Sequence, residues 1–259
     1  MADGPVVLRR SAEEIEAVLA FRVERALRHF RAAAESGPAM ECPICGYLGR
    51  FAPVRHKPNV WCPSCDSRPR HRLLKLWLDR ECAIPASARV LHFAAEPWLR
   101  TAIGPVAEYV TADLHDRYDI SLDIGAMDLP DGRFDVIIAN HVLEHVPDDV
   151  AALTEIARVL SPGGLAILTV PLVEGWSETL EAPAHWGPEE RMRYCTDPDH
   201  RRFYGRDFRE RLRVAGLDAS EFTALEPDVA RHGLHRGEKI FLGRKPNPGA
   251  RRPAPADRS

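Results

Sequence analysis

Four of the six cysteines stand in two Cys-x-x-Cys pairs, separated by sixteen residues. Two tight turns at this separation let four sulfurs reach one tetrahedral ion, so the pattern predicts a zinc ribbon held by Cys42, Cys45, Cys62 and Cys65. Four protein ligands leave no coordination position open for water, and we therefore expect the zinc to be structural. A redox disulfide is the alternative use of such pairs. The other two cysteines are expected to be ordinary thiols.

A polar pair follows an apolar run that is typical of a buried strand. Residues 134–139 are apolar and rich in β-branched side chains, begin after the turn at residues 130–132, and lead into Asn140 and His141. A helical pattern starts beyond Pro147. In an open α/β sheet, ligands bind just beyond the carboxyl ends of the strands. Asn140 and His141 are therefore predicted to lie on the rim of a ligand site.

Two earlier strands are predicted to share this rim. Residues 89–94 and 108–113 fit strands joined by a short helix, and the second ends on Asp113, 20 residues beyond Phe93. An acid at this separation is placed to accept hydrogen bonds from a ribose. The glycine-rich turn that lets a backbone approach a pyrophosphate is absent, since residues 93–97 are Phe-Ala-Ala-Glu-Pro. The pattern argues against NAD, FAD and ATP and favours an adenosine ligand without phosphates.

Three later segments resemble a known family. They are residues 129–138 (Leu-Pro-Asp-Gly-Arg-Phe-Asp-Val-Ile-Ile), 141–147 (His-Val-Leu-Glu-His-Val-Pro) and 155–164 (Glu-Ile-Ala-Arg-Val-Leu-Ser-Pro-Gly-Gly). Together they are similar to the class I methyltransferases of the type 11 group, whose methyl donor is S-adenosylmethionine. The resemblance implies an enzyme built on a doubly wound, mostly parallel seven-stranded α/β sheet.

The resemblance is closer to a bacterial subgroup of these methyltransferases that has an N-terminal zinc ribbon. It extends over about residues 42–217, and the segments that carry it are residues 42–46, 62–65, 70–74, 90–96 and 189–212. The glycine-poor turn after the first strand belongs to the pattern of this subgroup. It therefore does not by itself argue against S-adenosylmethionine.

The resemblance also implies roles for individual residues. The loop under the methionine part of the cofactor is implied to consist of Phe93, Ala94, Ala95 and Glu96. Asp113 is implied to bind the ribose hydroxyls, Leu114 to lie against the adenine, and Asp123 or Ile124 to reach the adenine edge. Asn140 and His141 are implied to lie beside the methyl group. The segment at 123–128 is longer than is usual in the family, which leaves open whether Asp123 or Ile124 reaches the adenine.

His141 is the candidate general base for a hydroxyl acceptor, since the ordinary pKa of histidine lies near neutrality. The alternative is that His141 only contacts the cofactor or caps the next helix, and an amine acceptor that binds unprotonated requires no base. Residues 141–145 also fit the His-x-x-Glu-His spacing of one class of zinc peptidases. That motif must lie within a helix, and the strand before it and Pro147 after it leave too little room for one.

The methyl acceptor is expected to bind under a long insertion at residues 174–204. Its aromatic and polar side chains suit an acceptor site, although the same insertion could simply cover the sheet edge; they are Trp176, His185, Trp186, Tyr194 and His200. We expect transfer to an O or N atom, with a small molecule or sugar favoured over structured RNA. A net charge of −3 gives no general attraction to nucleic acid.

A rival hypothesis of another class is a non-catalytic module that binds a partner through the ribbon and the basic residues 68–72. These arginines could hold phosphate or RNA; otherwise we expect them to pair with carboxylates of the next domain. Charge alone does not separate these uses.

The chain is expected to contain an N-terminal helical segment (1–38), a ribbon with a connecting helix (39–80), a methyltransferase domain (81–244) and a disordered tail (245–259). Its 45% hydrophobic and 28% charged residues are ordinary for a globular protein. No signal peptide or membrane span is evident, so we expect the cytoplasm and no membrane partner. Oligomeric state stays open.

The first segment has a strong helical pattern at residues 11–34. Ser11 and Glu14 fit a capping box. We expect its apolar face to pack on a neighbouring domain, or alternatively to bind a partner. This face consists of Ile15, Val18, Leu19, Phe21, Ala26 and Leu27.

Overall fold

The computed structural model describes residues 12–54, 57–81, 84–115 and 117–247. Its helices are α1 (Ala12–Ala34), α2 (Pro69–Arg80), α3 (Pro97–Ile103), α4 (Asp149–Val159), α5 (Pro188–Cys195), α6 (Phe208–Val214) and α7 (Asp228–His232). Its strands are β1 (Met40–Glu41), β2 (Leu48–Gly49), β3 (Ala52–Val54), β4 (Lys57–Trp61), β5 (Arg89–Phe93), β6 (Glu108–Asp113), β7 (Ile120–Ser121), β8 (Phe134–Asn140), β9 (Leu160–Thr169), β10 (Leu180–Glu181), β11 (Arg202–Phe203), β12 (Asp218–Phe222) and β13 (Ile240–Arg244). Among these described residues, no helix combines the length and apolar character needed to cross a membrane.

These elements form two compact units. The first, here called the ribbon unit, comprises the described chain up to Arg72 together with Leu225–His235. The second, the sheet unit, comprises Leu73–Ala224 and the described chain from Arg236 onward. The return of the chain to the ribbon unit at α7 has no signal in the local sequence pattern.

The ribbon unit is built from two short hairpins, in which β1 pairs with β2 and β3 pairs with β4, both antiparallel. Its small core contains Met40, Cys42, Phe51 and Cys62. So small a core buries little apolar surface, and such modules usually depend on an added staple such as a metal.

Arg72 is fully buried inside this unit. Its guanidinium donates to the carbonyl oxygens of Val60, Ser67, His232 and Gly233 at 2.7 to 3.1 Å and stacks over the Phe51 ring. Because its guanidinium is buried and donates to these carbonyls, Arg72 is not exposed to a phosphate or RNA ligand. The pairing of residues 68–72 with carboxylates stays a prediction. Its donors are directed at backbone carbonyls that the local sequence does not reveal.

The predicted N-terminal helix is confirmed at α1, but the described face that it buries differs from the predicted one. Leu19, Phe21 and Leu27 are between 43% and 54% exposed, whereas Arg28 and Ala32 are buried. Arg28 pairs with Asp66 and lies 5.7 Å from the centre of the Trp61 ring. Hydrophobic periodicity alone therefore identified the helix and misassigned its packing side. Ser11 and the side chains of Glu14, Ile15 and Val18 lie outside the described residues.

The sheet unit contains one seven-stranded sheet in the order β12-β13-β9-β8-β5-β6-β7. The strands from β9 through to β7 pair in parallel, and β13 is antiparallel to both β9 and β12. The order reverses between β5 and β8, which is the position where doubly wound sheets open a crevice for ligands. The predicted fold class is confirmed.

The observed bounds of β5, β6 and β8 agree with the predicted strands to within one residue. Strand β9 already pairs with β8 at Leu160 and ends at Thr169, so it begins inside the segment 155–164 that carries part of the resemblance. Pairing with β8 continues because a bulge absorbs residues 161–164. Gly164 permits it, since an added Cβ there would lie 2.8 Å from the Ser161 carbonyl oxygen.

The core of the sheet unit lies on both faces of these strands. Residues of β8 are buried almost throughout, as expected for a parallel strand covered by helices on both sides. Helix α4 buries Ala152, Leu153 and Ile156 against the core and is capped by Asp148, whose Oδ1 accepts from the amide of Ala151. This packing fixes the carboxyl ends of the strands, where the predicted site lies.

Candidate cofactor and metal sites

Strand register brings three predicted site positions to one edge of the sheet. Phe93, the last residue of β5, lies opposite Ala112 on β6 and Ala139 on β8. Ala94, Asp113 and Asn140 are the next residues along these strands. They therefore lie side by side, as predicted, although they are far apart in sequence.

The chain leaves two of these strands in an unusual backbone conformation. Ala94 has φ of +48° and His141 has φ of +53°. The amide of Ala94 donates to the Ala112 carbonyl at 2.9 Å, and that of His141 donates to the Thr169 carbonyl at 2.8 Å. Non-glycine residues rarely adopt positive φ, and such strain concentrates at functional sites. Both positions belong to the predicted rim.

Glu96 links the ends of β5 and β8. Its Oε2 accepts from His92 Nε2 at 2.9 Å and from Asn140 Nδ2 at 3.3 Å. The other ring nitrogen of His92 is bonded to the Tyr109 hydroxyl at 2.7 Å, and burial raises the pKa of Tyr109. The carboxylate at the predicted methionine end is thus held by a network that reaches back into the sheet.

The residues expected at the nucleoside offer a carboxylate beside apolar surface. Asp113 Oδ1 accepts from the amide of Leu114 at 2.6 Å, and its side chain remains 22% exposed. Leu114 itself is 62% exposed, which is unusual for leucine. A carboxylate suits ribose hydroxyls and an exposed leucine suits the flat adenine. The contact of this pair with an adenosine stays a prediction.

Three other predicted cofactor residues differ in which of their groups are accessible to a ligand. Phe93 and Ile124 are buried in the core of the sheet unit, so only their backbone groups are available to a ligand. Asp123 has an exposed side chain, whose Oδ1 accepts from the amide of Gly125. The amide of Leu122 donates to the carbonyl of Asp113, which holds this segment next to the strand end. Between the two adenine-edge candidates, Asp123 has the accessible polar group.

His141 is bonded to a buried carboxylate. Its Nδ1 lies 2.9 Å from Glu144 Oε1, and Glu144 has no exposed surface. Burial opposes ionisation of Glu144, yet the hydrogen bond with His141 holds the pKa of this carboxyl below its usual value. Sequence reasoning did not single out Glu144, although a carboxylate inside an apolar run was a usable signal.

Two alternatives for His141 do not agree with the structure. The next helix, α4, begins at Asp149 and is capped by Asp148, so His141 caps no helix. Residues 141–147 form turns rather than a helix, so the His-x-x-Glu-His motif of a zinc peptidase is not formed.

The predicted insertion is an ordered strap that includes β10, α5 and β11. Within it Trp186 stacks on Tyr194 with ring centres 4.8 Å apart. The buried Arg202 ties the strap to the loop after β8 by donating to the carbonyls of Leu143, Val146 and Pro147 at 2.7 to 3.0 Å. The strap therefore packs on the loop after β8 and presents aromatic side chains. Its role in binding an acceptor stays a prediction.

In the ribbon unit, the four predicted metal ligands lie together. Their Sγ atoms are all within 4.8 Å of one another, with 3.6 Å between Cys42 and Cys65 and between Cys45 and Cys62. Zinc–sulfur bonds of about 2.3 Å in a tetrahedron give sulfur separations of about 3.8 Å. The 3.6 Å contacts join one Cys-x-x-Cys pair to the other, an arrangement that suits an ion rather than a disulfide within a pair.

The cysteines of this cluster share hydrogen bonds. Contacts with Cys62 and Cys65 lower the pKa of Cys42, and contacts with Cys42 and Cys65 raise the pKa of Cys62. Cys195 is buried elsewhere, and burial raises its pKa, as expected for an ordinary thiol. Cys82 lies outside the described residues.

Comparison with known proteins places the central segment in a family. Residues 84–168 match the family model described as "Methyltransferase domain". The demethylmenaquinone methyltransferase of Staphylococcus carnosus is 37% identical over 84 residues, which are 27% of this chain and 35% of that protein. The 2-methyl-6-phytyl-1,4-hydroquinone methyltransferase of a Synechocystis species is 25% identical over 159 residues, which are 58% of this chain and 48% of that protein.

The chain thus spans less than half the length of these two relatives. Among solved structures, one chain of the complex between the Haloferax volcanii Trm112 methyltransferase activator and a methyltransferase aligns with a TM-score of 0.52. It is 15% identical, and the alignment covers 69% of this chain and 90% of that one. This likeness supports the fold. The family match covers residues 129–138, 141–147 and 155–164, so the resemblance to the type 11 methyltransferases is confirmed. The narrower resemblance to the zinc-ribbon subgroup stays a prediction.

Proposed function

We propose that this protein, whose residues 84–168 match a methyltransferase family model, transfers a methyl group from S-adenosylmethionine to an O or N atom of a small-molecule acceptor. The observation that supports the proposal is the common edge formed by Ala94, Asp113 and Asn140, which brings the predicted methionine, ribose and methyl contacts side by side.

Each predicted cofactor residue has a defined task in this proposal. Asp113 accepts hydrogen bonds from the ribose hydroxyls, and Leu114 lies against the adenine, with Asp123 at its polar edge. Ala94 and Ala95 permit close approach to the loop after β5, where Glu96 is held by His92 and Asn140. When bound, S-adenosylmethionine supplies an electrophilic methyl group and its own leaving group, so alignment and exclusion of water are the main demands on the protein.

His141 is proposed as the general base for a hydroxyl acceptor. Donation from its Nδ1 to Glu144 fixes the tautomer and leaves Nε2 as the basic nitrogen. Glu144 does not touch the reacting atoms in this account, and it acts as a positioning residue. For an amine acceptor that binds unprotonated, the same dyad would be dispensable.

A small-molecule acceptor agrees with the names of the two relatives, which methylate a demethylmenaquinone and a phytyl hydroquinone. The stacked pair of Trp186 and Tyr194 in the strap offers aromatic surface for a planar acceptor. The buried Arg72 weakens the competing hypothesis of a phosphate-binding patch at residues 68–72. Acceptor binding that does not weaken between low and moderate salt would separate a small molecule from RNA.

We also propose that Cys42, Cys45, Cys62 and Cys65 hold a structural zinc ion. The sulfur separations and the small core of the ribbon unit support this assignment. Metal binding of this kind contributes directly to folding free energy.

Calorimetry with S-adenosylmethionine and with S-adenosylhomocysteine tests the proposed function. We expect both to bind the full chain, and we expect the affinity to depend on Asp113. Failure of both ligands to bind in the high micromolar range would refute the enzyme assignment. It would leave the non-catalytic module as the better description.

A further inference from the structure

A second cluster of metal-ligating side chains lies in the sheet unit, outside the cysteine site. It consists of Glu144, His145 and His200, whose carboxylate oxygen and ring nitrogens all lie within 4.8 Å of one another. We propose that these three residues bind a divalent first-row transition-metal ion through two imidazoles and one carboxylate. The proposed function uses Glu144 only to orient His141, and it does not account for His145, for His200 or for the grouping of the three residues.

The buried carboxylate lacks a full set of partners. Glu144 has no exposed surface, and its Oε2 has no hydrogen-bond partner among the described residues. Only Oε1 is engaged, by His141. A buried carboxylate oxygen without a partner costs free energy, because it loses its hydration and gains nothing in return. A cation coordinated by this carboxylate removes that cost.

His200 presents a lone pair to the same carboxylate. Its Nδ1 donates to the carbonyl oxygen of Cys195 at 2.8 Å, which fixes the tautomer and leaves Nε2 without a proton. That Nε2 lies 3.8 Å from Glu144 Oε1. Two acceptor atoms that face each other at this distance repel, unless a positive ion lies between them. Donation of the second ring nitrogen to a carbonyl is also the usual arrangement of a metal-binding histidine.

His145 completes the set from the solvent side. Its side chain is exposed, and its ring lies edge-on to His200 with ring centres 4.8 Å apart. Ligand bonds of about 2.0–2.2 Å place tetrahedral ligands about 3.4 Å apart, so a modest rotation of this exposed ring closes the site. The exposed side also supplies a path for entry of the ion.

The backbone around the cluster is already fixed. The amide of Arg201 donates to the carbonyl of Glu144 at 2.8 Å, and Arg201 Nε donates to the carbonyl of His145 at 3.1 Å. Together with the bonds from Arg202, these contacts hold the strap that carries His200 against the loop that carries the other two ligands. Imidazole and carboxylate ligands favour ions such as Zn²⁺, Co²⁺, Fe²⁺ or Ni²⁺ over Ca²⁺ or Mg²⁺.

The test uses the full chain with zinc in the cysteine site, titrated with Co²⁺. We expect one further equivalent of Co²⁺ to bind, with d–d absorption and without the thiolate charge-transfer bands that cobalt in the cysteine site would give. His145→Gln, which changes an exposed side chain, should abolish this equivalent, as should His200→Gln. His185→Gln, an exposed histidine of the same strap outside the cluster, should retain it.

Three outcomes would overturn the proposal. They are absence of Co²⁺ binding beyond the cysteine site, thiolate charge transfer for all bound Co²⁺, and full binding by a folded His145→Gln variant. None depends on methyl transfer, so this result is separate from that of the proposed function.

Discussion

The Nδ1 atom of His141 lies 2.9 Å from Oε1 of Glu144, a carboxylate with no exposed surface. The two residues are three positions apart in a turn that directly follows β8, so the imidazole is held at the strand end by a buried anion. This hydrogen bond fixes the tautomer and the orientation of His141, for which the sequence alone left several roles open. It also identifies the residue whose change best separates chemistry from binding.

We predict that Glu144→Gln lowers kcat for a hydroxyl acceptor by about 10²-fold or more, since general-base catalysis contributes about 10²–10⁴-fold and depends on the tautomer of the base. Affinity for S-adenosylhomocysteine should stay within about twofold. Steady-state rates and calorimetry measure the two effects. Glu189→Gln, an exposed acid in the first turn of α5, serves as the control. Equal losses in rate and in cofactor affinity would instead indicate a structural role.

Asp113→Asn should weaken binding of S-adenosylhomocysteine by about 10- to 100-fold. Hydrogen bonds to a charged group contribute about 1.5–3 kcal/mol, and the amide offers one acceptor oxygen in place of two. Calorimetry measures the change. Asp128→Asn, at an exposed acid of the neighbouring loop, should bind as the wild type does. Unchanged affinity in Asp113→Asn would remove the ribose role.

Asp135→Asn should lower the free energy of unfolding at pH 7 by about 1 kcal/mol. Arg89 donates to both carboxylate oxygens, and these bonds hold the pKa of Asp135 well below its usual range. The effect is modest, because both side chains are about a third exposed and solvent screens the pair.

The pH dependence of this variant follows from the lowered pKa. A carboxyl of this kind stabilises the fold above its unfolded-state pKa of about 3.9, and the contribution is lost as the pH falls through the folded-state pKa. The difference in urea unfolding between wild type and variant should therefore be full at pH 7 and shrink below about pH 4. A difference that grows on acidification would contradict this assignment.

Gly205→Ala should destabilise the sheet unit by about 1–3 kcal/mol, the usual range for forced overpacking. An added Cβ would lie 2.4 Å from the carbonyl oxygen of Glu178, and a backbone atom cannot easily move aside. Gly175→Ala is the matched control, because nothing lies within 4 Å of the added atom. Urea titration of both variants provides the comparison, and similar midpoints would disprove the close approach.

The double variant Cys42→Ser/Cys62→Ser should lose the thiolate-to-cobalt charge transfer of the cobalt-substituted protein. It should also unfold its ribbon unit, since structural metal sites contribute directly to folding. Cys195→Ala removes a thiol outside the cluster and should keep the charge-transfer bands. Retention of these bands in the double variant would exclude the four-cysteine site.

Much of the sheet was predictable, because buried parallel strands produce apolar runs that end at turn residues. The run at β8, the acid that ends β6 and the capped start of α4 all follow from local pattern. Local pattern does not reveal where β9 begins, because Gly163 and Gly164, which are typical of a turn, lie in a bulge within a continuing strand. It also failed to assign the buried face of α1, since amphipathicity identifies an apolar side without specifying what covers it.

The sequence by itself determined the seven-stranded fold class, the order of its elements and the grouping of four cysteines, because each depends on residues close together in the chain. Only the tertiary structure decided which distant groups meet. Arg72 donates a hydrogen bond to the carbonyl of His232, 160 positions away in the sequence. Glu144 Oε1 lies 3.8 Å from Nε2 of His200, which belongs to the strap. These contacts depend on strand register and loop packing, and neither produces a periodic pattern of residues in the sequence. The same separation explains why the fold was predictable while the contact between Glu144 and His200 was not.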